Sequence, residues 1–170
     1  GHGMIAPSTI RVLEEKAPFL AINVQTNAGN QGYNRVNKFT RADLVCVDTP
    51  EARLAVSDKF KPIEDIVMED LPSLIDCPLF IITHGKYGCY VGSRGASPTH
   101  IPAFTNQVVD TVGAGDCFYA VAGALASVGS DPNDLAFIAN AAGALKVNVV
   151  GHRQSVDQAS LRKYITSLLK

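Results

Sequence analysis

The chain has 170 residues, 46% apolar and 18% charged, and its 15 basic side chains nearly cancel 16 acidic ones. A chain of this size buries roughly 70% of its extended surface and needs neither disulfide nor metal to hold a core, which describes one globular domain and excludes disorder. With no basic excess there is no electrostatic footprint for nucleic acid or an anionic membrane, so neither is an expected partner.

In chain order, Gly1-His2-Gly3-Met4 has no apolar core of a secretory signal and no Met at position 1, as in a tag remnant or a cut chain. Pro7-Ser8 predicts a short helix capped by Ser8, with Ile10 and Leu13 inward and Glu14 and Glu15 outward. Residues 19–24 read as a buried strand, and the polar, glycine-bearing stretch 27–34 reads as a loop without an assigned role. A second buried strand is expected over 42–47. Pro50 opens a helix to about 57, and Pro62 one to about 75. Residues 79–83 give the strongest strand signal. The turn at 85–88 returns the chain into a short strand at 89–92, and a further strand is expected over 99–104. Helices follow over 113–128, 132–147 and 157–169. Continuous apolar strands alternating with helices predict a three-layer, Rossmann-like α/β domain with a mostly parallel sheet. The Ala- and Gly-rich helices over 113–128 and 132–147 read as a closely packed pair.

Cys46, Cys77, Cys89 and Cys117 form no CxxC pair, which argues against a zinc site or a redox motif and for a reduced, cytoplasmic setting. The longest uncharged apolar helical stretch, 117–130, falls short of the roughly 18 to 20 residues a bilayer crossing needs. Between Arg94 and Lys146 there is no Lys or Arg, so an anion bound by that stretch must be held by backbone groups. The segment Asp110-Thr111-Val112-Gly113-Ala114-Gly115-Asp116-Cys117-Phe118 puts two glycines and an aspartate at the start of a long apolar helix. Glycines let successive amides face one concavity, and a helix N-terminus adds unpaired N–H groups and the positive end of its dipole. Asp116 at the lip could take a proton from a hydroxyl attacking phosphorus, so the ensemble reads as phosphoryl transfer. The same residues also suit an electrostatically favoured first turn with close packing and no chemistry. There is no GxxxxGK[ST] and no GxGxxG, since Phe118 stands where the last glycine would be.

Residues 110–118 resemble the DTxGAGDxF signature of the PfkB/ribokinase sugar kinases. Further matches follow in the family's order: Thr83-His84-Gly85-Lys86-Tyr87-Gly88 is similar to its T-x-G-x-x-G turn, Asp48-Thr49-Pro50-Glu51 sits where the family has Asn-x-x-Glu, and Asn140-Ala141-Ala142-Gly143-Ala144 resembles its small-residue helix beside the adenine. The resemblance implies ATP and Mg²⁺ as cofactors and a sugar or sugar-phosphate substrate. It also implies Asp116 as catalytic base, with the amides of Gly113, Ala114 and Gly115 around the transferring phosphate. Thr83, Gly85 and Gly88 would line the nucleotide cleft, Asn140 and Gly143 would lie near the base, and Glu51, with Asp48 beside it, would organise water around the metal.

The likeness covers essentially the whole chain as one partial domain, 1–170, equivalent to the C-terminal, nucleotide-binding half of such a kinase and truncated at its N-terminal side. On that reading a fragment lacking most sugar contacts is inactive alone. Gly1-His2-Gly3 also resembles the tail of the Asp-[Tyr/Phe]-Gly-x-Gly segment of the heptose-phosphate kinase branch, which would make it native sequence. Two departures stand out. Asp48 replaces the family's Asn. The stretch Gly151-His152-Arg153-Gln154-Ser155-Val156 lacks the Gly-Thr step of a monovalent-cation loop, which argues against K⁺ dependence. Cys117 reads as a small helical residue, and His84 and His152 read as loop residues. The alternatives are a non-catalytic nucleotide-binding or assembly module, or a fragment whose open sheet edge pairs two copies into a homodimer.

Overall fold

The computed structural model describes residues 4–105, 108–151 and 153–170. The readings of Gly1-His2-Gly3 and of His152 lie outside the described residues. Two compact units are present, one comprising residues 4–83 and 90–99, the other 84–89 and 100–170.

In the first unit, α1 (Pro7–Lys16) starts one residue before the expected serine cap. Ala6 is the N-cap with extended backbone and no side-chain cap, because Pro7, whose φ is already helical, takes the first helical position and draws Ser8 inside. Strand β1 is only Ala21–Ile22, β2 is Leu44–Asp48 and β3 is Leu79–Thr83. The shortening of β1 has a local cause. Asp43 Oδ2 accepts from the Leu20 N–H (2.7 Å), and the Asn23 Nδ2 donates to the Cys46 carbonyl (2.8 Å), so side chains take over positions that ladder bonds would fill. The run is buried on alternate residues, not throughout: Leu20, Ile22 and Val24 are in the core, while Phe19, Ala21 and Asn23 are partly exposed.

β1 pairs in parallel with β2, and β2 with β3, in a register that sets Val45 opposite Phe80 and Asp48 opposite Thr83. β4 (Cys89–Ser93) and β5 (Thr99–Ile101) complete the strand order β1-β2-β3-β4-β5. Only five residues separate β3 from β4, too few for a parallel crossover, so this pair runs antiparallel and the sheet is mixed but mostly parallel. Between β2 and β3 lie α2 (Thr49–Val56), α3 (Ile63–Asp65) and α4 (Leu71–Leu74). A π-helical run over Ile66–Asp70 joins α3 to α4, where the sequence predicts one uninterrupted helix. Its Val67 carbonyl lies 2.8 Å from where a Cβ on Gly92 would sit, so glycine lets this helix and β4 approach. The core of this unit includes Val24, Val36, Leu44, Ile66, Leu71, Phe80 and Ile82, each at most 2% exposed. Residues 27–34 form a loop organised by its own asparagines: Asn27 Oδ1 accepts from the Gly29 and Asn30 N–H groups, and Asn34, 2% exposed, donates to the Gln25 carbonyl.

In the second unit, α5 (Ala114–Ser127), α6 (Pro132–Lys146) and α7 (Gln158–Leu168) follow the turn at 84–88. Asp131 and Asp157 cap α6 and α7, accepting first-turn N–H groups with their side chains. Helices α5 and α6 form the close pair that their small residues predict: Ala122, Ala136, Ala139, Ala141 and Ala142 have no exposed surface. A Cβ on Gly143 would lie 3.8 Å from the Ala114 carbonyl oxygen and 4.0 Å from Phe118 Cβ. Tyr164 of α7 donates its hydroxyl proton to the Phe104 carbonyl (2.9 Å), and the Phe104 ring packs on Phe137 with centroids 4.8 Å apart. Among the described residues no helix is long and apolar enough to cross a membrane.

Candidate active site

The turn preceding α5 is set by Asp110. Its Oδ1 accepts from the Val112 N–H (2.9 Å) and its Oδ2 from the Gly151 N–H (2.7 Å), so one carboxylate ties this turn to the segment after α6. The Val109 and Asp110 N–H groups both donate to the Val147 carbonyl, at 2.9 and 3.0 Å. Gly113 is the N-cap of α5 at φ 76, ψ 4, a left-handed conformation in which a Cβ is strained. Of the amides that follow, Ala114 donates to the Thr111 carbonyl (3.2 Å) and Cys117 to the Gly113 carbonyl (2.9 Å). The N–H groups of Gly115 and Asp116 have no hydrogen-bond partner among the described residues, and a Cβ on Gly115 would meet nothing within 4 Å. Asp116 is exposed. The head of a 14-residue helix thus presents open donors and a carboxylate to the same solvent, while the Ala114 amide is engaged internally.

At the other glycine turn, the His84 N–H donates to the Gly88 carbonyl (2.7 Å) and the Gly88 N–H to the Gly85 carbonyl (3.1 Å), closing a tight loop. The two glycines have different reasons. Gly88, at φ 96, faces main chain so closely that a Cβ would lie 1.9 Å from the Ile101 oxygen and 2.7 Å from the Ala103 nitrogen. Gly85 needs only its left-handed φ of 54 and has open space around it. His84 stacks on Tyr87 with centroids 4.9 Å apart, as befits a loop residue. Asn140 on α6 is 9% exposed and donates through Nδ2 to the Pro102 carbonyl (2.7 Å), while Gly143 sits one turn further on.

In the first unit, Asp48 and Glu51 form a reciprocal capping box at the head of α2. Asp48 Oδ1 accepts from the Glu51 N–H (2.8 Å), and Glu51 Oε2 accepts from the Asp48 N–H (2.9 Å). The other oxygen, Oε1, accepts from the Thr26 N–H (2.9 Å). Glu51 is 8% exposed, not a solvated first-turn acid, and desolvation raises its pKa, with the nearby Asp48 charge adding to the rise. Desolvation of its carboxyl raises Asp48 as well, although the residue as a whole is exposed. Thr83, the register partner of Asp48, accepts at its carbonyl from the Thr49 hydroxyl (3.1 Å). Among the described residues no group of three His, Cys, Asp or Glu could hold a metal by itself. A carboxylate with both oxygens already bonded to main chain, as Glu51 has, suits holding a metal-bound water better than direct ligation.

The cysteines carry no disulfide. Burial pushes the Cys77 and Cys89 thiols up to about 12, and burial also raises Cys117, whose Sγ faces the Ala142 carbonyl. None is an activated nucleophile. Two features of the second unit escape sequence reasoning: the Asp110–Gly151 tie, and Lys146, which is 6% exposed and donates from Nζ to the Gly151 (2.5 Å) and Gln154 (3.4 Å) carbonyls. A lysine closing a helix signals only favourable charge against the dipole, and nothing local announces that it turns inward.

The model of the pfkB family carbohydrate kinases matches residues 14–159. The bifunctional protein HldE of a Bradyrhizobium species is 35% identical over 97 residues, 57% of this chain and 20% of the relative. HldE of Geobacter metallireducens is 29% identical over 120 residues, 69% of this chain and 24% of the relative. Among solved structures, Arabidopsis thaliana ribokinase complexed with ribose and ATP superposes with a TM-score of 0.78 at 20% identity, over 94% of this chain and 51% of that one. Phosphofructokinase-2 from Escherichia coli in complex with potassium gives 0.80 at 14%, over 96% and 52%. The chain therefore spans about half the length of these structures and about a fifth to a quarter of the HldE proteins. Its fold is ribokinase-like, and with most of its length matched by the family model, the chain belongs to the pfkB family of carbohydrate kinases.

Proposed function

We propose that the chain carries the nucleotide-binding and phosphoryl-transferring part of an ATP-dependent kinase acting on a hydroxyl of a sugar or sugar phosphate. The observation that carries this reading is the head of α5, where the Gly115 and Asp116 N–H groups are open beside an exposed carboxylate. Open main-chain donors at a helix N-terminus stabilise the charge that spreads over the equatorial oxygens of a phosphoryl in flight. Asp116 accepts the proton of the attacking hydroxyl as its oxygen bonds to phosphorus. Glu51 with Asp48 would orient water around a Mg²⁺ ion, which when bound would offset part of the polyphosphate charge. Gly85, Gly88 and Thr83 border the nucleotide, with Asn140 and Gly143 toward its base. Without a positioned acceptor the chain turns over little, because a base with no oriented hydroxyl gains nothing from proximity. The unbridged cysteines suit a reduced cytoplasm.

The test is ATP turnover against a panel of acceptors, including heptose phosphate, ribose, fructose phosphate and nucleosides, with the acceptor-binding half supplied. Asp116→Asn is expected to lower kcat by about two to four decades while nucleotide affinity stays within a few-fold. Turnover near the unmodified level in that variant removes Asp116 from the mechanism, and the absence of any ATP effect on melting removes the nucleotide reading altogether.

A further inference from the structure

We propose that Lys146 is a tethered cation whose ammonium fixes the turn at the head of α5, acting on it through Gly151 and Asp110. The inference deepens the nucleotide reading for its effect on phosphate binding, but the lock itself stands on the second unit's own geometry.

Lys146 is the last residue of α6, where a lysine ordinarily reaches into water or onto the final carbonyls of its own helix. This one does neither. It is 6% exposed, and its Nζ donates to the Gly151 carbonyl at 2.5 Å and to the Gln154 carbonyl at 3.4 Å, both beyond the helix. None of the ion pairs formed among the described residues involves it. A buried ammonium without a carboxylate in contact needs its charge balanced nearby, and here a single residue bridges it to a carboxylate. Gly151 gives its carbonyl to Lys146 and its N–H to Asp110 Oδ2 (2.7 Å), so its two polar groups join the cation to the anion. Such charge-assisted bonds polarise one another and are stronger than neutral ones. Gly151 adopts φ 53 to do this, a conformation open to glycine at little cost.

The chain of bonds then runs on to the site. Asp110 uses its remaining oxygen on the Val112 N–H (2.9 Å), and the Val109 and Asp110 amides are pinned to the Val147 carbonyl, the residue after Lys146. Lys146 also lies close enough to pull down the thiol pKa of Cys117, the neighbour of Asp116, against the upward push of burial. The stretch without Lys or Arg therefore ends on one cation that folds back toward it. That cation works through main chain, leaving the Gly115 and Asp116 amides free for an anion.

Backbone amide exchange on the nucleotide-free chain tests the lock. Removing the charge in Lys146→Met is expected to speed exchange at Val112 and Gly151 by about tenfold or more, with the α6 interior at Ala139 and Ala142 unchanged. In Lys146→Ala, ammonium or methylammonium at fixed ionic strength should restore protection, whereas choline should not. Unchanged Val112 and Gly151 amides in Lys146→Met overturn the proposal. So does a uniform acceleration that includes Ala139, which indicates packing alone, or a failure of ammonium to restore the alanine variant. Should both variants fail to fold, the unmodified chain decides: a slowly exchanging Lys146 ammonium signal under ¹⁵N-lysine labelling is expected, and one exchanging at the rate of exposed lysines overturns it. An ATP-analogue titration separates the two readings. Weaker binding in Lys146→Met by about tenfold follows from both, while loosened amides in a chain that never binds nucleotide refute the kinase reading and leave the lock in place.

Discussion

Replacing Gly143 by alanine separates helix packing from nucleotide contact, because the two act on melting in opposite directions. The added Cβ would lie 3.8 Å from the Ala114 oxygen and 4.0 Å from Phe118 Cβ, which is ordinary van der Waals contact. No clash opposes the gain of about 0.8–1 kcal/mol expected from exchanging glycine for alanine inside a helix. For a domain of this size that raises Tm by about 2–4 °C. With nucleotide present the sign changes. At a hundred times Kd, ligand adds about 2.7 kcal/mol of stability to the unmodified chain. If the methyl group intrudes on the base and weakens binding tenfold, the same ligand concentration adds only about 1.4 kcal/mol. Calorimetric melting of both proteins with and without a non-hydrolysable ATP analogue and Mg²⁺ therefore gives a higher melting point without ligand and roughly half the ligand increment. A lower melting point without ligand refutes the packing argument, and an undiminished increment takes Gly143 out of the nucleotide site.

The turn glycines should respond unequally. Gly88→Ala drives a methyl onto the Ile101 oxygen at 1.9 Å and is expected to cost more than about 4 kcal/mol, whereas Gly85→Ala, in open space, costs only the 1–2 kcal/mol or so of a left-handed conformation. Equal melting of the two variants contradicts that assignment. Glu51 gives a pH signature: its folded-state pKa is raised above the ordinary 4.5, so the folded form takes up a proton more readily than the unfolded one. That contribution to stability is fully present below pH 4.5 and is lost as pH rises through the folded-state value. The stability of the unmodified chain relative to Glu51→Gln should therefore grow as pH falls from 7 to 4.5, read by denaturant unfolding at each pH. A difference that shrinks over this window contradicts the raised carboxyl.

The elements were legible where one local rule decides them. Proline at the first helical turn marks α2 and α6, Pro62 stands as the N-cap of α3, and the apolar runs over β2 and β3 end where polar residues begin. The π-helical run at Ile66–Asp70 was not legible, because it answers to the approach of β4 at Gly92, a contact 22 or more residues away. The short β1 reflects Asn23 and Asp43 supplying bonds from their side chains, which a run of apolar residues does not register. At the candidate site, the glycines and Asp116 stand in one unbroken motif. Glu51 is picked out in the sequence by its place in the family's motif, but its burial is not, because that depends on Thr26 meeting it from another segment. Lys146, Gly151 and Asp110 become partners only once α6 has brought residues 110 and 151 together.

Asp48 and Thr83 end their strands as partners in one parallel register. The 30 residues joining β2 to β3 leave and return without altering that alignment, so insertions or deletions there can accumulate while both strand tips stay level. A single residue added inside either strand is another matter. It would offset one tip by about 3.3 Å and turn its side chains to the opposite face. Divergence among homologous chains should accordingly concentrate in the crossover, and each strand should keep its length to the residue.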